Sequence, residues 1–178
     1  VDELLAVAEG LAKQPPMRGN RVAVITNVPG QAKLVMRSLV NEGLVPAEPS
    51  DEIVEKISKK YPNVKISNFI DLGPDAREDV YKFVVEQVAS DKAVDGIAVI
   101  SATKSTIFRP EDISGVAGVA KKTKDKPVVG LVPGVEDNRL IRGVSGTELP
   151  ICWRPWDVAR VLKFLSVRWK MLEKAAQK

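Results

Sequence analysis

Three short runs, Arg21-Val-Ala-Val-Ile-Thr26, Gly96-Ile-Ala-Val-Ile100 and Val128-Val-Gly-Leu-Val132, are apolar without interruption and rich in β-branched residues. A strand that does not alternate polar with apolar residues is buried on both faces, which happens where helices cover both sides of a parallel sheet. The segments between the runs carry apolar residues at helical spacing, so strands and helices alternate along the chain. That alternation predicts a three-layer α/β/α fold with a flavodoxin-like, doubly wound parallel sheet and right-handed crossovers.

Helices are expected over about 2–13, where Leu4, Leu5, Val7, Ala8 and Leu11 form a stripe ended by Pro15-Pro16, and over 31–42, stopped by Gly43. Ser50-Asp-Glu-Ile53 has the form of a capping box, with Ile53 where Glu is preferred, and opens a helix that Pro62 ends. Residues 64–70 read as extended. The Asp71-Leu-Gly-Pro-Asp75 turn is expected to cap a helix over 76–89, with Val80, Phe83, Val84, Gln87 and Val88 inward. Further helices are expected from Pro110-Glu111 to about 122 and over 137–143, then a short strand at 151–153 and a last helix opened by Pro155.

The 178 residues suffice for one sizeable domain, with residues 1–20 as helix and connector and 21–178 as the sheet domain. One cysteine cannot form an internal disulfide or a cysteine metal cluster, and no histidine is present. No metal site is expected, and Ser-His-Asp or Cys-His catalysis, an imidazole base and a phosphohistidine within this chain are excluded. Cys152 reads as a buried, inert thiol. No apolar run approaches the ~20 residues of a membrane span and no signal peptide is seen, so the expectation is a cytoplasmic protein without membrane contact.

The net charge of +4 is concentrated in 153–178, which carries seven basic residues and two acidic ones. Trp153, Trp156, Phe164 and Trp169 interleave with these cations as stacking side chains of a nucleic-acid binder do. Val158, Val161, Leu162, Leu165, Trp169 and Leu172, however, recur at helical spacing, and the segment reads as an amphipathic helix with solvated cations rather than a nucleic-acid surface.

In a doubly wound sheet ligands bind beyond the carboxyl ends of the strands, which singles out the loops at 27–31, 68–75, 101–109 and 133–138. Lys104-Ser105-Thr106 lacks the upstream glycines of a nucleotide P-loop. The loop after Thr26 is not a flavin phosphate loop, no G-x-G-x-x-G follows any strand, and no acidic cluster ends the first strand as magnesium in a phosphoacceptor receiver requires. What remains is the strand-to-helix loop at Asn27 to Gln31, where free amides and the positive end of the helix dipole favour an anion. That loop, and the turn formers Asn68 and Asp71, read equally well as plain connections.

Taken in order, Gln14-Pro-Pro-Met-Arg-Gly-Asn-Arg-Val-Ala-Val-Ile-Thr-Asn27, Asn68-Phe-Ile-Asp-Leu72, Val94-Asp-Gly-Ile-Ala-Val-Ile100 and Lys126-Pro-Val-Val129 resemble the NDP-forming acyl-CoA synthetases. The likeness is to the flavodoxin-like ligase domain shared by ADP-forming acetyl-CoA synthetase and succinyl-CoA synthetase, and it spans nearly the whole chain. The resemblance implies the reaction acyl-CoA + ADP + phosphate ⇌ acid + CoA + ATP, with a phosphohistidine on a preceding domain from which the helix at Asp2 is the link. It implies CoA, ADP/ATP and magnesium for the full enzyme, none bound by this chain alone. The implied partners are the CoA-binding and phosphohistidine domains of the same polypeptide and an ATP-grasp domain or subunit. By position Asn27, Gly30 and Gln31 match a phosphate-binding loop, and Asn68 and Asp71 a supporting turn. Val28-Pro29 depart from the family's small residues and paired glycines, and Pro29 removes an amide donor. The competing reading is a non-catalytic interaction or regulatory module on the same fold.

Overall fold

The computed structural model describes residues 2–101, 112–133 and 147–177. In chain order these form α1 (Asp2–Lys13), β1 (Arg21–Thr26), α2 (Pro29–Asn41), β2 (Val45–Pro46), α3 (Asp51–Lys60), β3 (Lys65–Ile66), β4 (Ile70–Asp71), α4 (Glu78–Ser90), β5 (Gly96–Ile100), α5 (Asp112–Lys122), β6 (Val128–Leu131), β7 (Ile151–Cys152) and α6 (Pro155–Ala176). The helix expected at 137–143, the Pro110-Glu111 helix start and most of the 101–109 and 133–138 loops lie outside the described residues.

The strands make one mixed, mostly parallel sheet in the order β3-β4-β1-β5-β6-β7, with β2 beside β1 as well. Arg21 and Val22 of β1 pair with Val45 and Pro46 of β2, while Ile25 and Thr26 pair with Ile70 and Asp71 of β4. The two short strands thus divide one edge of β1 between its beginning and its end. The extended reading of 64–70 is corrected here. The chain folds back between β3 and β4, which pair antiparallel, with the Ser67 amide donating to the Phe69 carbonyl oxygen at 3.0 Å.

The three runs that show no alternation are buried on both faces, as their composition requires. Val22, Val24, Ala98, Ile100, Val129 and Leu131 face α2 and α6. Ala23, Ile25, Ile97, Val99 and Val128 face α3, α4 and α5. Each fully buried Val, Leu or Ile contributes about 1.5–3 kcal/mol of transfer free energy, so these two apolar layers are the main favourable term in folding. The inward face of α4 is rotated from the expected one: Tyr81, Val84, Val85 and Val88 are buried, and Val80 and Phe83 only partly. Tyr81 reaches through the layer to donate its hydroxyl proton to the Ile100 carbonyl oxygen at 3.1 Å.

Two expected caps are absent. Ser50 precedes α3 but its side chain caps nothing; its amide donates to Asp91 Oδ2 at 2.7 Å instead. The 71–75 turn does not cap α4, because Asp71 Oδ1 accepts from the Gly73 amide at 3.0 Å and the helix begins at Glu78. In α6 the buried stripe runs through Val158, Val161, Leu162 and Leu165 and stops there. Leu172, Phe164, Trp153 and Trp156 are exposed, and Trp169 lies under the Arg18 guanidinium, 4.9 Å from the ring centre.

Several residues that carried the family resemblance prove to be architectural. Gln14 Oε1 accepts from the Val128 amide at 2.7 Å, tying the connector to β6. Arg21 and Asp95 form a two-point ion pair, Nε to Oδ2 at 2.9 Å and Nη2 to Oδ1 at 2.8 Å, across the amino ends of β1 and β5. Lys126 Nζ donates to the Asp91 carbonyl oxygen beside it.

Candidate functional site

Outgoing connections define where a crevice can open. The helix after β1 joins the apolar layer on one face, and α5, which follows β5, joins the layer on the other. β1 and β5 are neighbours, in register from Val22↔Gly96 to Thr26↔Ile100. The strand order therefore reverses between them, and a doubly wound sheet binds ligands beyond the carboxyl ends of the strands at that point.

The geometry there begins with Thr26, which is fully buried and accepts the Val28 amide on Oγ1 at 2.8 Å. Its carbonyl oxygen accepts from the Leu72 amide at 2.8 Å, which locks the 71–75 turn beside the loop. Asp71 is level with Thr26 in the β1–β4 register, and Gly73 takes the positive φ of 81° that the turn requires. Asn27 is buried at the end of β1. Asn68 is exposed in the bend between β3 and β4, so the structure sets Asn27, Gly30, Gln31 and Asp71 around the end of β1 and places Asn68 in the adjoining hairpin.

The head of α2 is open. Its N-cap position is Val28, which offers no side-chain acceptor, Pro29 follows at the first helical position, and the first turn holds no acidic residue. The Gln31 and Ala32 amides both turn onto the Val28 carbonyl oxygen, at 3.0 and 3.3 Å. Pro29 has no N–H, so the Gly30 amide is the one first-turn donor with no hydrogen-bond partner among the described residues. The loop thus presents a single amide plus the helix dipole, fewer donors than a glycine-rich loop provides. Gly30 is exposed, and a Cβ built on it would meet nothing within 4 Å. This arrangement can take one oxygen of a small anion from solvent.

The sequence placed Ser101 only in the 101–109 loop, and the cavity at the 71–75 turn was invisible to it. Ser101, at the end of β5, is 1% exposed and its hydroxyl oxygen has no hydrogen-bond partner among the described residues; the same holds for the buried Gln31 Oε1. A cavity of about 620 Å³ also opens on the 71–75 turn, lined among others by Lys60, Tyr61, Lys65, Asp71 and Gly73. Lys60 Nζ lies 4.0 Å from the Phe83 ring centre and 5.6 Å from that of Tyr61. Cys152 is buried, and burial pushes its thiol well above the usual range, which makes it a poor nucleophile. No three His, Cys, Asp or Glu side chains among the described residues are grouped to hold a metal ion, and no described helix is long and apolar enough to cross a membrane.

Layering and strand order together place the chain among three-layer, flavodoxin-like α/β domains. No family model matches it. It is 27% identical over 164 residues, 89% of its length, to the alpha subunit of acetate–CoA ligase [ADP-forming] II from Pyrococcus furiosus, of which it spans 36%. Among solved structures it resembles PH0766 from Pyrococcus horikoshii OT3, with a TM-score of 0.86 at 24% identity over 96% of this chain and 40% of that one. It also matches the Ca. Korarchaeum cryptofilum dinucleotide forming acetyl-coenzyme A synthetase 1, with a TM-score of 0.84 at 18% identity for the apo form over 100% of this chain and 40% of that one. The form of that enzyme in complex with phosphate and ADP gives 0.84 at 17% identity, over 100% of this chain and 39% of that one. The resemblance to NDP-forming acyl-CoA synthetases seen in the sequence is thereby borne out by a homologue, and the chain spans about two-fifths of the length of these relatives.

Proposed function

We propose that this chain is the ligase-type domain of an NDP-forming acyl-CoA synthetase, holding a phosphoryl group at the head of α2 while a phosphohistidine on another domain is loaded or unloaded. The observation that carries this reading is the uncapped head of α2, open to solvent at the point where the sheet's winding reverses, with the Gly30 amide unpartnered among the described residues. A phosphoryl oxygen placed there accepts from Gly30, and the helix dipole offsets part of its charge.

The chain supplies no carrier, since it has no histidine. Nor do its described residues fit the groups the full reaction needs: no glycine-rich loop surrounds a nucleotide's phosphates, and no carboxylate cluster suits magnesium. CoA, nucleotide and metal therefore belong to the CoA-binding, phosphohistidine and ATP-grasp parts of the enzyme, which are its partners in this reading, in the cytoplasm. The overall reaction is acyl-CoA + ADP + phosphate ⇌ acid + CoA + ATP. The test is ATP formation from acetyl-CoA, phosphate and ADP, measured for the chain alone and with those parts supplied together. ATP is expected only from the combined system. Turnover by the chain alone, or equal turnover by the other parts without it, overturns the proposal.

A further inference from the structure

Helices α1 and α6 lie side by side and leave their outer faces uncovered. They run parallel: Arg160 forms an ion pair with Glu3, and one and the same step further along both helices Arg168 Nη1 donates to the Leu11 carbonyl oxygen at 2.7 Å. Gly10 lets the two backbones approach, since a Cβ there would stand 2.3 Å from Val161 Cγ1. Val7 of α1 and Val158, Val161, Leu162 and Leu165 of α6 are buried in the apolar layer beneath. Beyond Ser166 the packing ends, because residues 167–177 include none that is buried although the helix continues to Ala176. Leu4 and Met171 are 73% and 65% exposed, and Phe164 and Leu172 are exposed as well. Between the helices a groove of about 490 Å³ is lined by Leu11, Ala12, Phe164, Val167, Arg168 and Met171, one cation among five apolar side chains. Contiguous exposed apolar surface marks an interaction site, and a helix that outlasts its core gains most of its stability from what packs on it.

The charges around the groove are of one sign. Phe164, Val167 and Met171 share one helical face, and at 3.6 residues per turn Lys170 and Lys174 border it. Both lysines are exposed, and neither makes an ion pair among the described residues. Glu173 is the single acid between Val158 and Ala176, and two positions on from Met171 it falls on the far side of the helix. On α1, Glu3 is paired with Arg160 and Glu9 with Lys13. We infer that this groove is the docking site of an acidic amphipathic helix, whose apolar ridge lies between Leu11 and Met171 and whose carboxylates face Lys170 and Lys174. A helix laid into a groove between two others presents apolar side chains at i, i+3, i+4 and i+7, and opposite charges at the border fix its register. A second copy of this chain fits less well, because it brings its own excess of cations in 153–178. A lipid surface leaves the concave groove unfilled.

The experiment titrates the 178-residue chain into a fluorescent peptide of about three heptads, with leucine along one face and glutamate beside it, and reads fluorescence anisotropy. A scrambled peptide and one with lysine in place of glutamate are run alongside. Expected is saturable binding of the ordered glutamate peptide only, weakened by salt. Met171→Glu should weaken it roughly 10- to 100-fold by removing a buried apolar anchor. Lys174→Glu should weaken it about 2- to 10-fold and improve binding of the lysine peptide. Both side chains are exposed, so either variant should melt within about 3 °C of the parent. Failure of the glutamate peptide to bind, binding that survives Met171→Glu, or equal binding of the scrambled peptide overturns the inference. So does a chain that sediments as a dimer until Met171 is replaced, which gives the groove to a second copy. Binding to phosphatidylglycerol vesicles without binding to the peptide gives it to a membrane and overturns the inference as well.

Discussion

Gly30→Asp separates binding from stability at the head of α2. Gly30 is exposed in the first turn, its φ is not positive, and a Cβ there meets nothing within 4 Å, so a side chain enters open space. Replacing glycine in a helix gains a few tenths of a kcal/mol, and a carboxylate near the N-terminus gains ~0.3–1 kcal/mol from the dipole. The sum is about 1 kcal/mol, which in a chain of this size raises the melting temperature by roughly 2–4 °C. The same carboxylate repels a phosphate dianion. At about 4 Å each pair of unit charges costs ~1 kcal/mol in water, so an exposed site loses about 2 kcal/mol, or roughly 30-fold in affinity. Gly30→Ala is the control: it keeps the N–H, adds only a methyl group and should bind phosphate within about threefold of the parent. Calorimetric titration with inorganic phosphate and a thermal melt read both effects. A Gly30→Asp chain that binds phosphate as tightly as the parent, or that unfolds more readily, refutes the reasoning.

Two further outcomes follow from the scaffold. Gly10→Ala drives a Cβ to within 2.3 Å of Val161 Cγ1, where α1 rests on α6, and should cost ~1–3 kcal/mol in urea unfolding from overpacking; an unchanged midpoint would show that α1 is not held against α6. Burial of Asp95 would by itself raise its pKa, but the Arg21 guanidinium and the Arg21 and Asn20 amides outweigh that and leave the carboxyl below the ordinary value. A depressed carboxyl pKa stabilises the fold above the unfolded value near ~3.9 and loses that contribution as pH falls through the folded one. Asp95→Asn should therefore be less stable than the parent at pH 7, with the gap narrowing below about pH 4 in urea melts across pH; a gap that stays constant to low pH would contradict the assignment.

The layering of the fold was legible because the strands 21–26, 96–100 and 128–131 are buried on both faces, and only uninterrupted apolar runs tolerate that. Helix ends marked by Pro15-Pro16, Pro62 and Pro155 were legible because a missing N–H and a fixed φ act locally. The fold-back between β3 and β4 was not, because two-residue strands have no periodicity to read. The caps expected of Ser50 and Asp71 failed for a related reason. Each group found a different partner, Asp91 for the Ser50 amide and the Gly73 amide for Asp71, and competition between partners is settled by packing.

The sequence by itself determined the alternation of the three buried strands with helices, the absence of a phosphocarrier, and the loop at Asn27 to Gln31 as the place to look. All of these follow from composition or from contacts a few residues apart. Only the tertiary structure decided that Ser101 stands beside Asn27, that Gly30 holds the one unpartnered amide of the first turn among the described residues, and that Gln14, Asp95 and Lys126 brace the opposite end of the sheet. Register and crossover direction bring together Asn27 and Ser101, Arg21 and Asp95, and Gln14 and Val128, pairs more than seventy positions apart, and no local preference of the chain encodes that.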